Sequence, residues 1–131
     1  MNELQSFIER STIEMISERE WQSVIIDMEV EERGREPRKY FVDSSVAVCI
    51  CKIDKEWTDD DLELSKEYRE LFHSLYAASD PKWGSCRLML EKDGSAKWNF
   101  ELPPAKRLNG ESDPKLDEII ERLVSVSRSA S

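Results

Sequence analysis

The stretch from Trp83 to Leu102 constrains the possible folds of this chain more than any other. Apolar and polar residues alternate on both sides of the dipeptide Asp93-Gly94, which predicts two strands joined by a two-residue type I′ turn. The period of two places four apolar side chains on one side of the sheet: Ala96, Trp98, Phe100 and Leu102. That side has to be covered by other apolar elements of the same protein.

Three further extended segments precede this hairpin. In residues 24–31 one alternating set of side chains is apolar and the other, apart from Ile25, is acidic, which predicts a half-buried strand with one core face and one open acidic face. Residues 39–43 and 46–53 are two more runs, unless they form one long bent strand. Because residues 46–53 are apolar on both faces, we expect this strand to be central and covered on both sides. The open acidic face of the first strand carries Asp27, Glu29 and Glu31.

Three segments have the periodicity of amphipathic helices. The first is predicted from apolar residues between Leu4 and Ile16. The second is predicted to begin at Thr58 as N-cap, with Asp59 to Asp61 near the positive end of the helix dipole. The third is predicted to begin at Asp113-Pro114, as an N-cap followed by proline at the first helical position. We expect residues 125–131 to be frayed.

The predicted order is therefore α-β-β-β-α-β-β-α. Consecutive strands and a hairpin favour an antiparallel sheet of about five strands, against which the three helices place their apolar faces. We predict an α+β fold. The length of 131 residues, without repeats or linkers, fits one domain over residues 1–131.

The charge balance limits the classes of partner. Lys and Arg number 19 against 28 Asp and Glu, a formal charge of −9, which argues against binding to nucleic acid or to acidic lipid surfaces. The opening residues lack the pattern of a secretory signal, and no segment has the length of a membrane span. We expect a cytoplasmic protein that makes no contact with membranes.

No pattern in the sequence indicates a reaction. Cys49, Cys51 and Cys86 lie in apolar, strand-like runs and are therefore predicted to be small buried hydrophobic residues. Together with His73 they lack the paired spacing of zinc ligands, which argues against a metal site. Serine elbows, zinc-protease motifs and phosphate-binding glycine loops are missing. We therefore expect no metal, no cofactor and no enzymatic activity. A site assembled from residues far apart in sequence is the alternative that this argument leaves open.

Acidic residues gather in one part of the chain. Residues 54–70 contain eight Asp or Glu and three Lys or Arg, which gives a local charge of −5. Such a surface raises association rates with a cationic partner and repels wrong ones. The alternative is that these side chains only solvate a helix start and an open sheet face.

The layout of the chain resembles that of bacterial immunity proteins, and in particular the YezG-like group. The features that carry the likeness are the first helix running into Trp21 and the acidic strand, the junction Trp57-Thr58, and the Trp83 to Phe100 hairpin. The resemblance implies a single immunity-protein-like domain without catalytic activity. Such a cytoplasmic antitoxin neutralises a secreted nuclease toxin of the polymorphic or contact-dependent inhibition systems that act in bacterial competition.

This resemblance and the charge lead to one functional hypothesis. A nuclease toxin binds polyanionic substrate in a basic cleft, which an acidic protein can occupy. The expected interface combines carboxylates with a tryptophan anchor, and we expect a monomer that forms a heterodimer with the toxin. The candidate residues are Asp27, Glu29, Glu31, Trp57, Asp59, Asp60, Asp61, Glu63 and Trp83.

The main rival is an acidic secretion chaperone. Chaperones of type III secretion have a similar order of elements, are usually dimeric, and hold an unfolded effector segment on apolar grooves. The sequence matches that group only in architecture and acidity, so we rank the chaperone below the immunity protein.

Overall fold

The structure is a computed structural model that describes residues 2–129. It contains three long helices, α1 (Glu3–Ile16), α2 (Lys66–Ala78) and α3 (Pro114–Ser129), and a short 3₁₀ turn over Arg107–Asn109. The five strands are β1 (Trp21–Arg33), β2 (Tyr40–Ile53), β3 (Glu56–Asp61), β4 (Ser85–Glu91) and β5 (Ala96–Glu101). The predicted α+β class and the predicted element order are confirmed.

The five strands form one antiparallel sheet in the order β3-β2-β1-β4-β5. Because β1 occupies the centre, nearly every residue from Trp21 to Val30 is buried. The prediction that this strand is open on one face is therefore wrong. β2 is also internal and its residues 47–51 are buried, as its apolar pattern predicts.

The sheet separates two apolar layers. On one face, α1 and α2 cover a large core that contains Ile8, Val24, Phe72 and Leu88. On the other face, α3 packs on a smaller cluster that contains Ile25, Val48, Ile50 and Leu116. The contacts of α3 with strands are concentrated on β1, β2 and β3.

The second helix starts later than predicted, and the third strand is not the one that the sequence indicated. Residues 40–53 form one continuous strand, whereas residues 56–61 are the strand β3. Asp54 and Lys55 connect them with φ values of 51° and 71°, the two positive φ angles of a type I′ turn. α2 begins at Lys66, where the side chain of Ser65 accepts a hydrogen bond from the backbone N–H of Tyr68. Thr58 is thus a strand residue and not an N-cap.

The β4–β5 hairpin is present, but its turn differs from the prediction. The backbone N–H of Glu91 donates to the Ser95 carbonyl, and that of Gly94 donates to the Glu91 carbonyl, both at 3.0 Å. In this three-residue loop Gly94 alone has positive φ, 98°. This is a type I turn followed by a G1 bulge, in place of the two-residue type I′ turn.

The helix ends follow the sequence signals closely at α1 and α3. Asn2 and Gln5 form a reciprocal capping box at the start of α1. Asp113 Oδ1 accepts from the Leu116 backbone N–H at 3.4 Å, with Pro114 at the first helical position. The helix continues through Ser129, so residues 125–129 of the predicted frayed tail are helical in the structure. Residues 130–131 of that predicted tail lie outside the described part of the chain. Within residues 2–129, the structure has no helix that is both long and apolar enough to cross a membrane.

Two glycines with positive φ give a matched test of the backbone. Gly34 has φ of 89°, and an added Cβ would overlap the Arg38 carbonyl oxygen, whereas Gly94 faces open space. We expect Gly34→Ala to destabilise the protein clearly more than Gly94→Ala, which should cost about 1 kcal/mol for the backbone conformation alone. Denaturant unfolding of the two variants measures the difference. Equal losses would contradict the steric argument at Gly34.

Candidate partner-binding surface

The edge strand β3 carries most of the acidic residues that the sequence singled out. It pairs with β2 alone, with Asp61 opposite Val48 and Asp59 opposite Ile50. Since paired residues share a face, Asp59 and Asp61 lie on the face that α3 covers, and both are exposed. Asp60 lies on the other face and forms an ion pair with Arg19. The structure therefore brings Asp59 and Asp61 together and turns Asp60 away from them.

Carboxylates on the neighbouring helices extend this acidic edge strand. Glu63 and Glu67 are exposed in the segment that leads from β3 into α2. On α3, the exposed residues Asp117 and Glu121 lie on the same side as Arg128, whose Nε donates to the Trp57 carbonyl at 3.0 Å. We call this set the acidic edge: Asp59, Asp61, Glu63, Glu67, Asp117 and Glu121.

Sequence reasoning missed the contribution of α3 to this surface. Asp117 and Glu121 are four residues apart on a helix, and Arg128 follows Glu121 by seven, so one side of the helix carries all three. This spacing is visible in the sequence. That Arg128 on this side of α3 reaches the backbone of β3 is visible only in the fold.

Trp57 lies beside the acidic edge and is half-buried. It packs with the α3 cluster, and the Lys52 ammonium lies 5.7 Å from the centroid of its ring. Trp57, Leu123 and Val126 line an open groove between the end of α3 and the ends of the strands β1 to β4, where Val126 is 61% exposed. A partner could reach part of the Trp57 ring through this groove.

Trp83 is part of the protein interior, so the prediction that it could anchor a partner is wrong. The residue is 3% exposed, and its indole N–H donates to Ser79 Oγ at 3.0 Å. Its ring contacts Tyr76 edge-on at a centroid distance of 5.3 Å and Phe100 at 6.1 Å. The Trp83 side chain therefore packs between α2 and the hairpin and is not accessible to a partner.

Asp27 and Glu29 are also misplaced by the sequence prediction, because each is 1% exposed. They do lie on one face of β1, but the segment around residues 105–113 covers that face. An open row of carboxylates on β1 therefore does not exist. Glu31, farther along β1, is partly exposed and accepts hydrogen bonds from Arg33 and Asn109.

Arginines neutralise the two buried carboxylates. Asp27 accepts from Arg107 Nη1 at 3.0 Å and from Arg87 Nε at 3.2 Å. Glu29 accepts from the backbone N–H groups of Arg107 and Leu108 at 3.1 and 2.9 Å. Burial nevertheless raises the pKa of Asp27, against the opposing effect of Arg107 and Arg87. This network holds the segment around Arg107 on the sheet.

The same network contains the one group of three potential metal-binding carboxylates found among residues 2–129. Asp27, Glu29 and Asp113 each place an oxygen within 4.8 Å of the others. However, Arg107 Nη1 already lies 3.0, 3.4 and 3.7 Å from these three carboxylates. A guanidinium thus supplies the positive charge that a cation would otherwise provide, and a metal ion could enter only by displacing it.

The surroundings of His73 and of the three cysteines indicate structural roles for these residues. His73 Nε2 lies 2.6 Å from Asp43 Oδ2, and Arg69 Nη1 contacts the same carboxylate at 3.2 Å. The prediction that all three cysteines are buried is confirmed. Burial raises the pKa of the Cys49 thiol to about 12 and also raises that of Cys86, so both thiols stay protonated at neutral pH. These thiols are therefore poor nucleophiles and poor metal ligands.

Comparison with known proteins does not indicate what this surface binds. No protein-family model matches the chain, and no curated protein matches it either. The function has to be argued from the geometry of the acidic edge.

Proposed function

We propose that this protein is an immunity protein, which binds a cognate secreted toxin domain in the cytoplasm and thereby neutralises it. The observation that carries the proposal is the acidic edge, where six exposed carboxylates lie on and around the edge strand β3: two on β3 itself, two where the chain leads into α2, and two on α3. The toxin is proposed to be a nuclease with a basic cleft, and binding involves no reaction.

The electrostatics of the acidic edge suit a cationic partner. Its carboxylates are solvated in the free protein, so they cost little to keep charged and act over a distance on an approaching positive surface. A nuclease has to concentrate positive charge where it binds the phosphate backbone. Carboxylates spaced along an edge strand can occupy such a cleft in place of phosphates, with Trp57 as the adjacent apolar contact.

Charge reversal on the acidic edge tests this proposal. In the variant Asp59→Lys/Asp61→Lys/Glu63→Lys, we expect association with the toxin domain to slow at least about tenfold and to depend less on salt. The partner is the catalytically inactivated toxin domain encoded by the neighbouring reading frame. Stopped-flow or surface-based kinetics at several ionic strengths measure both effects.

The control carries the same change of net charge elsewhere. Glu36, Asp80 and Glu111 are exposed and lie outside the acidic edge. Reversal of these three to lysine should change the association rate much less. If the two triple variants bind with equal kinetics, only net charge matters and the acidic edge is not the interface.

A groove between α1 and α2 favours a second candidate function, that of a secretion chaperone. The groove has a volume of about 360 Å³, is lined by Phe7, Met15, Tyr68 and Leu71, and leaves Phe7 48% exposed. An unfolded effector segment could place apolar side chains there. Loss of effector-segment binding in Phe7→Ser, together with no binding of the wild type to a folded basic toxin domain, would favour the chaperone.

A further inference from the structure

The second edge of the sheet, β5, has a sequence that is complementary to itself. β5 pairs with β4 alone, and within residues 2–129 no backbone hydrogen bond reaches its outer side. Phe100 is 42% exposed, and Leu102 just beyond the strand is 73% exposed. An open edge with exposed apolar residues is a template for pairing with another strand.

The register with β4 determines which backbone groups of β5 are free. Glu91 bonds to Ser95 through its backbone, and the register then pairs Met89 with Lys97 and Arg87 with Asn99. In an antiparallel ladder alternate residues bond to the same neighbour, so Ser95, Lys97 and Asn99 point their backbone groups toward β4. Ala96, Trp98 and Phe100 therefore point their N–H and C=O groups outward.

Two copies of the chain can pair antiparallel through β5 about a two-fold axis at Asn99. This arrangement gives hydrogen-bond partners to the outward backbone groups of Trp98 and Phe100, and it places unlike charges opposite each other. With that axis, Trp98 of one copy exchanges backbone hydrogen bonds with Phe100 of the other, and Ala96 lies opposite Leu102. On the opposite face, Lys97 lies directly across from Glu101. Within residues 2–129 neither Lys97 nor Glu101 forms an ion pair inside its own chain.

Other symmetric registers lose this complementarity. An axis at Lys97 or at Glu101 puts like charges opposite each other, which is unfavourable across strands. An axis at Trp98 or Phe100 leaves Asn99 across from a charged residue. The aromatic pair also suits the chosen register, since Trp98 and Phe100 already stack in one chain with an interplanar angle of 9°.

The opposite edge of the sheet, β3, is protected against the same kind of pairing between two copies. β3 contains three consecutive aspartates, so pairing of two copies through β3 would place carboxylates together. One edge is thus protected by repulsion, whereas the other is open and balanced in charge.

We propose that two copies of this chain associate through antiparallel pairing of β5 with β5, which produces a continuous ten-stranded sheet. The inference is independent of the proposed function, because the acidic edge remains free at both ends of the joined sheet. It replaces the expectation of a monomer, which came from the resemblance alone. A dimer of this kind does not by itself favour a chaperone.

Charge swapping at two positions tests the proposed dimer in the full-length chain. Lys97→Glu and Glu101→Lys each place like charges across both symmetric contacts, so each variant should raise the dimer dissociation constant at least about tenfold. A mixture of equal amounts of the two variants restores unlike charges at both contacts, and heterodimers should form with an affinity close to that of the wild type. Sedimentation velocity over a range of concentrations measures all of these species.

Lys115→Glu on α3 is the control, because Lys115 is exposed and the main strand contacts of α3 are with β1, β2 and β3. It should dimerise like the wild type. A wild-type chain that stays monomeric at high micromolar concentration would overturn the proposal. Dimers that are insensitive to Lys97→Glu and Glu101→Lys, or variants that do not associate when mixed, would overturn the β5 interface.

Discussion

Arg107→Met should lower the free energy of unfolding by about 3–5 kcal/mol at neutral pH. Arg107 contacts three carboxylates, of which Asp27 and Glu29 are 1% exposed. Methionine has a similar length but leaves those charges without their main counterion. The loss of stability arises because a buried charge gives up its hydration and, without Arg107, has no ion pair to compensate for it.

The pH dependence of Arg107→Met distinguishes this mechanism from a simple loss of packing. Without the guanidinium, the pKa of Asp27 in the folded protein rises further above 3.8, its ordinary value. The folded variant then binds a proton more tightly than the unfolded chain does. Its free energy of unfolding therefore increases as pH falls through this raised pKa, and decreases as pH rises. Urea unfolding at several pH values measures the trend.

Arg33→Met is the matched control for Arg107→Met. Arg33 also contacts a carboxylate of β1, but its side chain is 42% exposed and its partner Glu31 is 24% exposed. Such a pair contributes at most about 1 kcal/mol. A comparable loss of stability in the two variants, or a pH-independent loss in Arg107→Met, would contradict the argument for a buried charge network.

Much of this fold could be predicted because its signals are local. The capping pattern at Asp113-Pro114 marks the start of α3, and the alternation around Asp93-Gly94 marks the hairpin. Both depend on neighbouring residues only. The element order follows from such signals, and it agrees with the structure.

The predicted start of α2 at Thr58 is wrong, because the N-cap in the structure is Ser65. Thr58 followed by three aspartates has the composition of a helix start, and so does Ser65 followed by Glu67. Residues 56–61 instead form the edge strand beside β2. Because an edge strand is partly exposed to solvent, it can carry charged side chains. Pairing with a strand is a non-local gain that helix propensity does not register.

The failure at Asp27 and Glu29 has the same origin. Alternation correctly placed both on one face of β1, but whether that face meets water depends on Arg107, which lies 80 residues after Asp27 in sequence. A buried carboxylate requires a partner, and one sequence does not show which arginine reaches it. The six carboxylates of the acidic edge are exposed because they lie on an edge strand, in the segment that follows it, and on helix surfaces.

Trp83→Ala should be the second most damaging substitution, with a loss of about 3–5 kcal/mol in the free energy of unfolding. The indole joins α2 to the hairpin through Tyr76 and Phe100, and its N–H bonds to Ser79. Truncation removes these contacts and leaves a cavity of aromatic size. Trp57→Ala should cost less, about 1–2 kcal/mol, because that ring is half-buried and faces an open groove.

The two tryptophans should exchange ranks when binding is measured instead of stability. Trp57 lies next to the acidic edge, so Trp57→Ala should speed dissociation from the basic toxin domain. Trp83→Phe keeps an aromatic ring in the core, and it should bind with unchanged kinetics under conditions where it is fully folded. If the Trp83 variant loses affinity while remaining folded, the interface extends to the hairpin side of the molecule. If Trp57→Ala binds normally, then carboxylates alone account for the attraction and no apolar anchor is required there.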